Sequence, residues 1–588
     1  MALSKIPLQP GVYRENPSLS SEGFWHDCDK VRFKQGKPEK IGGWQSLTIS
    51  PTIIGNARSM HTWRTNSGNI HTAIGTHKKL YILSETTISD ITPIRESQAL
   101  TNPFAASSGS TTVTVTDVGH GSEQGDYVTF SGCVHADLVD AEVNANHEMT
   151  YIDVDTYSIE VTTAATGSTT SGGSVTATYE IGIGNTSEVS AFGYGAGAWG
   201  AEEWGDARSA TSVTLQARVW SFDNFGEDLV ATHEGGGLYQ WDSSVGVATR
   251  AAAITNAPSE NALAVVTTPD RHLVSFGAHD GSVQDPMLVK WADQETLTTW
   301  TASASNTAGS QTLSGGSKIV ARVRSQGQTL VWTDAGLHAM QYIGPPYTFG
   351  FKELGSNCGA IGKNSVATVQ SSNYWMGIDN FYVYDGAVRV LPCTVHGYIF
   401  DNIDNTAGDR VVAGVNHKFS EIFWFYCEDG TENNNRYVVY NYAENLWYIG
   451  AMQRTAWEDS PILQYPRAIN ASGTIYNHEI GTDDDTSAMT AYIESSEFDM
   501  GDGDRLMLVR KVVPDCDITG NLDFYMRSRL YPQGTKANET SQAIGPSTTK
   551  LDTRVRGRSA SIYLSSDALS DNWRVGDIRL DMRQDGRR

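Results

Sequence analysis

This 588-residue sequence is short of cysteine pairs, of long apolar runs and, over one long stretch, of positive charge. Its six cysteines (Cys28, Cys133, Cys358, Cys393, Cys427, Cys516) are scattered without a CxxC pair. That is too sparse for a disulfide framework and matches no zinc spacing, so buried free thiols are expected. No run approaches the roughly 18 apolar residues of a membrane-spanning helix. MALSKIPLQPGVYRE also lacks the continuous apolar segment of a secretion signal, so the expectation is synthesis and folding in a cytoplasm, with no lipid anchor. Sustained helical periodicity is missing as well, which argues against a helix-rich fold.

What is present suits strands and tight turns. Glycine (57), tyrosine (25) and tryptophan (15) are plentiful against 18 prolines. Glycine supplies turn positions with positive φ, and aromatics suit pleated surfaces. Net charge is −24, unevenly spread: residues 96–207 hold 16 Asp or Glu and no Lys or Arg. Such a surface repels DNA and anionic membrane. Its blander reading is that acidity keeps an exposed module soluble.

A short pattern recurs along the chain, a small or glycine-containing turn followed by an apolar–aromatic couple. It is centred on Leu80, Leu238, Leu288, Leu337, Phe381, Val438 and Ile475, and after Leu238 the gaps are 50, 49, 44, 57 and 37 residues. A four-stranded propeller blade takes about 40–50 residues, so the spacing predicts a mainly β chain built on a β-propeller of six or seven blades. The 158 residues from Leu80 to Leu238 are too many for one blade. Residues 98–182 within that gap are rich in Ser, Thr, Val and Gly. TTVTVTDVGHGSEQGDYVTFSG alternates, turns at Gly119 to Gly125, and alternates again. This reads as a small β-barrel inserted in a blade connection, where insertion costs little. From residue 486 onward the alternation of NLDFYMRSRLY, RSASIYLSS and DIRLDMRQDGRR predicts a C-terminal β-sandwich, with Ile578, Leu580 and Met582 inward and Arg579, Asp581 and Arg583 outward. The expected domains are an arm over 1–50, the propeller over 51–97 and 183–485, the barrel over 98–182 and the sandwich over 486–588.

Few residues suggest chemistry. GAGAWG (Gly195 to Gly200) matches a dinucleotide fingerprint in form only, because no helix pattern follows it. GKPEK lacks the spacing and final Ser or Thr of a phosphate-binding loop. His61, His71 and His77 have no carboxylate at ligand spacing. DMGDGDR, with Asp499, Asp502 and Asp504, lacks the alternating acids and distal Glu of a calcium loop. Neither S-x-D-x-G-x-T-W turns nor a G-x-S-x-G elbow is found. The expectation is a protein that is not an enzyme and holds neither cofactor nor metal.

KVRFKQGKPEKIGGWQ, residues 30–45, poses a different question: why an acidic chain gathers Lys30, Arg32, Lys34, Lys37 and Lys40 beside one acid, Glu39. A phosphate cradle, a nucleic-acid patch and an assembly arm compete. The pattern predicts strands at VRF and KIGGW around a QGKPE turn, with Val31 and Phe33 on one face and Arg32 and Lys34 on the other. As an assembly interface it would use Lys30, Arg32, Phe33, Lys34, Lys37, Lys40 and the anchor Trp44. Trp573, Arg574, Arg587 and Arg588 form a candidate C-terminal interface. The alternative is a basic hairpin packed on the chain's own C-terminal sandwich, whose acids answer the same charges.

GFWHDCDKVRFKQGKPEKIGGWQ resembles the N-terminal signature of tail proteins from short-tailed bacteriophages. SSEFDMGDGDRLMLVRKVVPD and WRVGDIRLDMRQDGRR resemble their closing segments, and GYGAGAWGAEEWG their Gly–aromatic loop. DVGHGSEQGDYVTFSG resembles a small β-barrel of phage structural proteins and of ubiquitin-activating enzymes, for which only the fold is carried over. The resemblance implies a tail hub or nozzle: a ring, commonly of six copies, beneath the portal and adaptor rings, extending the channel for genome ejection. It implies as partners further copies of the chain and the adaptor, which the basic arm would contact, with tail fibres as a further candidate. Genomic DNA would pass without specific binding, and the location would be the virion tail, assembled in a bacterial cytoplasm. Two other classes stand beside it, a receptor-binding or glycan-cleaving tail protein and a non-viral interaction propeller.

Overall fold

The computed structural model describes residues 3–188, 216–501 and 503–586. The Gly–aromatic loop and GAGAWG, as well as Asp502, Arg587 and Arg588, lie outside the described residues. The fold is mainly β, and the two α-helices among the described residues have four and five residues. The chain forms two compact units, one of residues 49–313 and 345–348, the other of residues 1–48, 314–344 and 349–588.

Among the described residues, seven four-stranded antiparallel meanders have the form of β-propeller blades, three in the first unit and four in the second. In the first unit, blade 1 begins at Ala57–Arg64, blade 2 at Trp220–Phe225 and blade 3 at Leu263–Val266. In the second, blade 4 begins at Ile319–Ser325, blade 5 at Val366–Val369, blade 6 at Val412–Asn416 and blade 7 at Ala456–Glu458. Blade 7 takes its fourth strand, Trp44–Ser46, from near the N-terminus. Each recurrence of the sequence pattern marks a third strand: Leu80–Ser84, Tyr239–Trp241, Leu288–Trp291, Gly336–Gly344, Phe381–Tyr384, Arg436–Asn441 and Ile475–His478. The apolar–aromatic couple falls there because an inner strand buries residues on both faces, as in the wholly buried run Leu80–Leu83.

Tryptophans fasten blade to blade. Trp424 Nε1 donates to the Ser365 carbonyl at 3.0 Å, and Trp457 Nε1 to the Val415 carbonyl at 2.8 Å. Trp457 lies against Gly414, where a Cβ would overlap the indole. Each indole buries its ring and still satisfies its one donor, the condition for Trp in a core.

Strands from Ile94–Thr101 to Ser174–Glu180 form two sheets with a core of their own, including Phe104, Val113, Val115, Phe130, Tyr157 and Tyr179. Val113 and Val115 alternate inward from TVTVT, and the Tyr157 and Tyr179 hydroxyls meet at 2.8 Å inside. This is the inserted barrel.

The C-terminal sandwich differs in composition from the expected 486–588. Each of its three sheets takes strands from the first forty residues. Ser4–Lys5 pairs with Arg579–Gln584, Phe24–Asp29 with Ala491–Ser495, and Lys37–Lys40 with Asn572–Val575. The N-terminal stretch expected as a separate arm is thus sheet. Its apolar residues Val12, Trp25, Val31 and Phe33 belong to one core with Met507, Leu564 and Val575. Near the C-terminus Leu580 and Ile578 are buried as expected, but Asp581 is buried too, paired across the sheet with Lys511.

Candidate functional site

The basic hairpin turns earlier and more tightly than the sequence suggested. Its strands are Val31–Lys34 and Lys37–Lys40, joined by Gln35 and Gly36, both at positive φ. A two-residue turn of this kind matches the natural strand twist. Pro38 therefore lies in a strand, opposite Phe33, instead of in the turn. The carboxylate of Glu444 accepts from the Gln35 and Gly36 amides at 2.7 and 2.9 Å and fixes the turn. Beyond it, Gly43 is required by close approach, since a Cβ there would overlap the backbone of Asp483.

The two predicted interface groups meet, because the second hairpin strand pairs Glu39 with Arg574. Arg574 also donates to the Lys34 carbonyl at 2.8 Å. Trp573 is buried and donates to Ser566 Oγ at 3.0 Å.

Most of the five cations are answered inside the chain. Lys30 pairs with Asp29 at 2.8 Å and Lys37 with Asp577 at 2.5 Å. Lys37, together with Lys5, holds the Asp577 carboxyl down at about 2. Lys40 Nζ donates to the Asp571 carbonyl at 3.0 Å. Trp44 donates to Asp484 at 2.5 Å, so this predicted anchor packs within the chain. Arg32, expected to face outward, is 2% exposed, and Phe33, Lys40 and Trp44 are buried as well. As placed, these four present no surface to a partner. Only Lys34 of the hairpin strands is fully exposed.

Arg32 reaches acids far away in sequence. Its Nε donates to Glu421 Oε1 at 2.9 Å and its Nη1 to Glu479 Oε2 at 3.0 Å, while Nη2 reaches both carboxylates. Its guanidinium carbon stands 3.6 Å from the centre of the Phe419 ring. Asn416 Nδ2 donates to both carboxylates at 3.0 Å, and the Tyr448 hydroxyl to Glu421 at 2.5 Å. One cation here faces two buried carboxylates. Burial pushes the Glu421 carboxyl up and the Glu479 charge adds to this, with Arg32 opposing, to about 7.

Sequence reading missed Glu421, Glu479 and Phe419. One signal existed: Glu421 opens the otherwise apolar strand EIFWFY, and an acid there needs a buried partner.

A cavity of about 470 Å³ opens beside this cluster. Its lining includes the cations Arg32, Lys34, Lys40, Lys418 and Arg574 and the acids Glu39, Glu479 and Asp517. Arg574 sits between Glu39 and Asp517 in the sheet register. Lys34 and Lys418 have no carboxylate partner among the described residues and stand 5.8 and 5.2 Å from the centre of the Phe419 ring.

The candidate histidines do not converge on a metal. His61 and His71 each lie near Trp63, with ring centroids 5.8 and 5.7 Å away. Burial and the nearby cations push His77 down to about 4, and its Nδ1 accepts from the Asn56 amide at 2.9 Å. No group of three or more potential metal ligands occurs among the described residues. No helix among them is long and apolar enough to cross a membrane.

No protein-family model and no curated protein matches the chain by sequence. Among solved structures, an endosialidase of phage phi92 aligns over 72% of this chain at 11% identity and a TM-score of 0.21. The aligned region spans 63% of the endosialidase's length. The β-propeller domain of Myceliophteria thermophila Cps50 (Swd1) aligns over 45% of this chain and 83% of its own, at 10% identity and a TM-score of 0.29. The BBS1N domain solved with ARL6DN aligns over 74% of this chain and 97% of its own, at 11% and 0.24. At these scores none of them carries an argument about function.

Proposed function

We propose that the chain is a structural protein of a short-tailed phage virion, a hub or nozzle whose copies form a ring that prolongs the portal–adaptor channel. The observation that carries this reading is the meeting of the segments that bear the resemblance. Gly23–Gln45, the segment from Ser495 to Asp515 and the segment from Trp573 onward all contribute strands to the same C-terminal sheets. A shared signature at both ends of a chain makes physical sense when the two ends build one structure.

In this reading the protein binds no cofactor and catalyses nothing. Its work is to join neighbours and leave a passage open. Net charge −24 fits a channel wall, since a wall that attracted phosphates would hold back DNA that must slide past. Six copies, the adaptor as upper neighbour and tail fibres as lateral ones complete the proposal. Native mass spectrometry and negative-stain imaging of the full chain test it. The expected result is a closed ring of about six copies with an open centre. A monomer at all concentrations, or a trimer that degrades host polysaccharide, overturns it.

A further inference from the structure

Two surfaces of this chain complement each other in charge. The first surrounds Phe419, where Lys34 and Lys418 stand near the half-buried ring, line the cavity with it and meet no carboxylate among the described residues. A protein with 67 acids against 43 Lys and Arg has an excess of acids able to pair with such lysines, so two left unmatched around an aromatic ring invite an acidic, partly apolar partner.

The second surface lies at one end of the inserted barrel. The strand Thr150–Asp153 is an edge strand, exposed throughout. Gln124 Oε1 accepts from the Tyr151 amide at 2.9 Å, and the His120 ring bonds the Asp153 carbonyl at 2.9 Å. These side chains occupy the edge, which disfavours pairing with a foreign strand and leaves side-chain docking. Val118 and Val154 stand 76% and 62% exposed, with Tyr151 beside a groove of about 460 Å³. Glu123, Asp153 and Asp155 rim these apolar groups, and no cation pairs with them among the described residues.

We infer that the acid-rimmed end of the barrel on one copy docks onto the Lys34–Phe419–Lys418 surface of the next. An apolar centre with an acidic rim then meets an aromatic centre with a basic rim. The two patches differ, so the contact is heterologous, the kind that builds a ring when its rotation closes. This rests on the ring reading above and supplies the contact that would build it.

Sedimentation velocity of the full chain and two variants tests it. Lys34→Glu with Lys418→Glu reverses one surface; Glu123→Lys with Val154→Lys reverses the other. All four residues are exposed, so both variants should fold and melt like the parent. The parent should assemble more weakly at high salt. Each variant alone should weaken assembly at least tenfold, and an equimolar mixture should restore it, because every contact in an alternating ring again joins opposite charges. If the parent assembles and either variant assembles equally well, or the mixture stays dissociated, the docking inference fails while the ring reading stands. If the parent itself is monomeric, both fail.

Discussion

The first forty residues and the inserted barrel are both additions to the blades, and in each a buried cation meets buried acids: Arg32 in one, Lys79 in the other. They differ in where their cores lie. The barrel has its own, centred on Phe104, Phe130 and Tyr157. The N-terminal segment has none apart from the sandwich, since Trp25, Val31 and Phe33 share a core with Leu564 and Val575. The anchors differ as well. Among the described residues Arg32 is the one cation paired with Glu421 and Glu479. At the barrel, Lys79 of blade 1 meets Glu180 and Asp90, both at 2.9 Å, and Arg250 meets the same two acids at 3.0 and 2.6 Å. One network is balanced and the other is one positive charge short. A segment distinctive in sequence is therefore independent only when it carries its own core, and a buried ion pair is insensitive to pH near neutrality only when its charges cancel.

Removing each cation in turn should separate the two segments most strongly. Arg32→Met leaves two carboxylates buried together and should cost about 3–5 kcal/mol. Lys79→Met leaves Asp90 and Glu180 with Arg250 and should cost about 1–3 kcal/mol. Urea denaturation of the two variants gives both values, and equal losses would erase the distinction.

The next effect is on pH dependence. Glu421 has its folded-state value raised from the ordinary 4.5 to about 7. A raised carboxyl favours folding while protonated, so its contribution is intact below pH 4.5 and is lost as pH rises to 7. Across that window the parent should lose on the order of 3 kcal/mol relative to Glu421→Gln, which cannot titrate. Melting curves from pH 4.5 to 8 would show the gap between the two proteins shifting in favour of the variant as pH rises. A constant gap would mean that the cluster carries no excess charge.

Smaller still is the effect of deleting the barrel. Replacing Gln98 to Gly182 with a short Gly/Ser linker should leave a cooperative melting transition. Lys79 then loses Glu180 and the Asn146 side chain, which accepts from it at 2.9 Å. Adding Lys79→Met to the deletion should recover about 1 kcal/mol. If the second change destabilises further, Lys79 does not serve as the barrel's anchor. The smallest effect belongs to the exposed end of the hairpin: Lys34→Glu should shift stability by less than about 0.5 kcal/mol. A larger loss by denaturation would mean that its charge is answered within the chain.

The blades were legible in the sequence because each third strand repeats one local pattern at a spacing set by blade size, from Leu80 to Ile475. The barrel was legible because TVTVT and YVTFS alternate with period two. The destination of the basic hairpin was not. Arg32 and its acids are 389 and 447 residues apart, and composition does not reveal which distant charges fold together. Alternation in VRFK also misled, since it assumes one wet face, whereas Val31, Arg32 and Phe33 are all buried. Proline favours turns, so local sequence alone places Pro38 in one. It is tolerated in its strand where the neighbouring strand pairs only at Glu39.

Amide hydrogen exchange on the full chain, resolved to peptides covering residues 31–40, tests most directly whether this segment is sheet. Protection as lasting as that of Ala491–Ser495 is expected, because both lie in the sheets that enclose one core. Exchange of residues 31–40 within seconds, while Ala491–Ser495 stays protected, would contradict this and show a free basic arm.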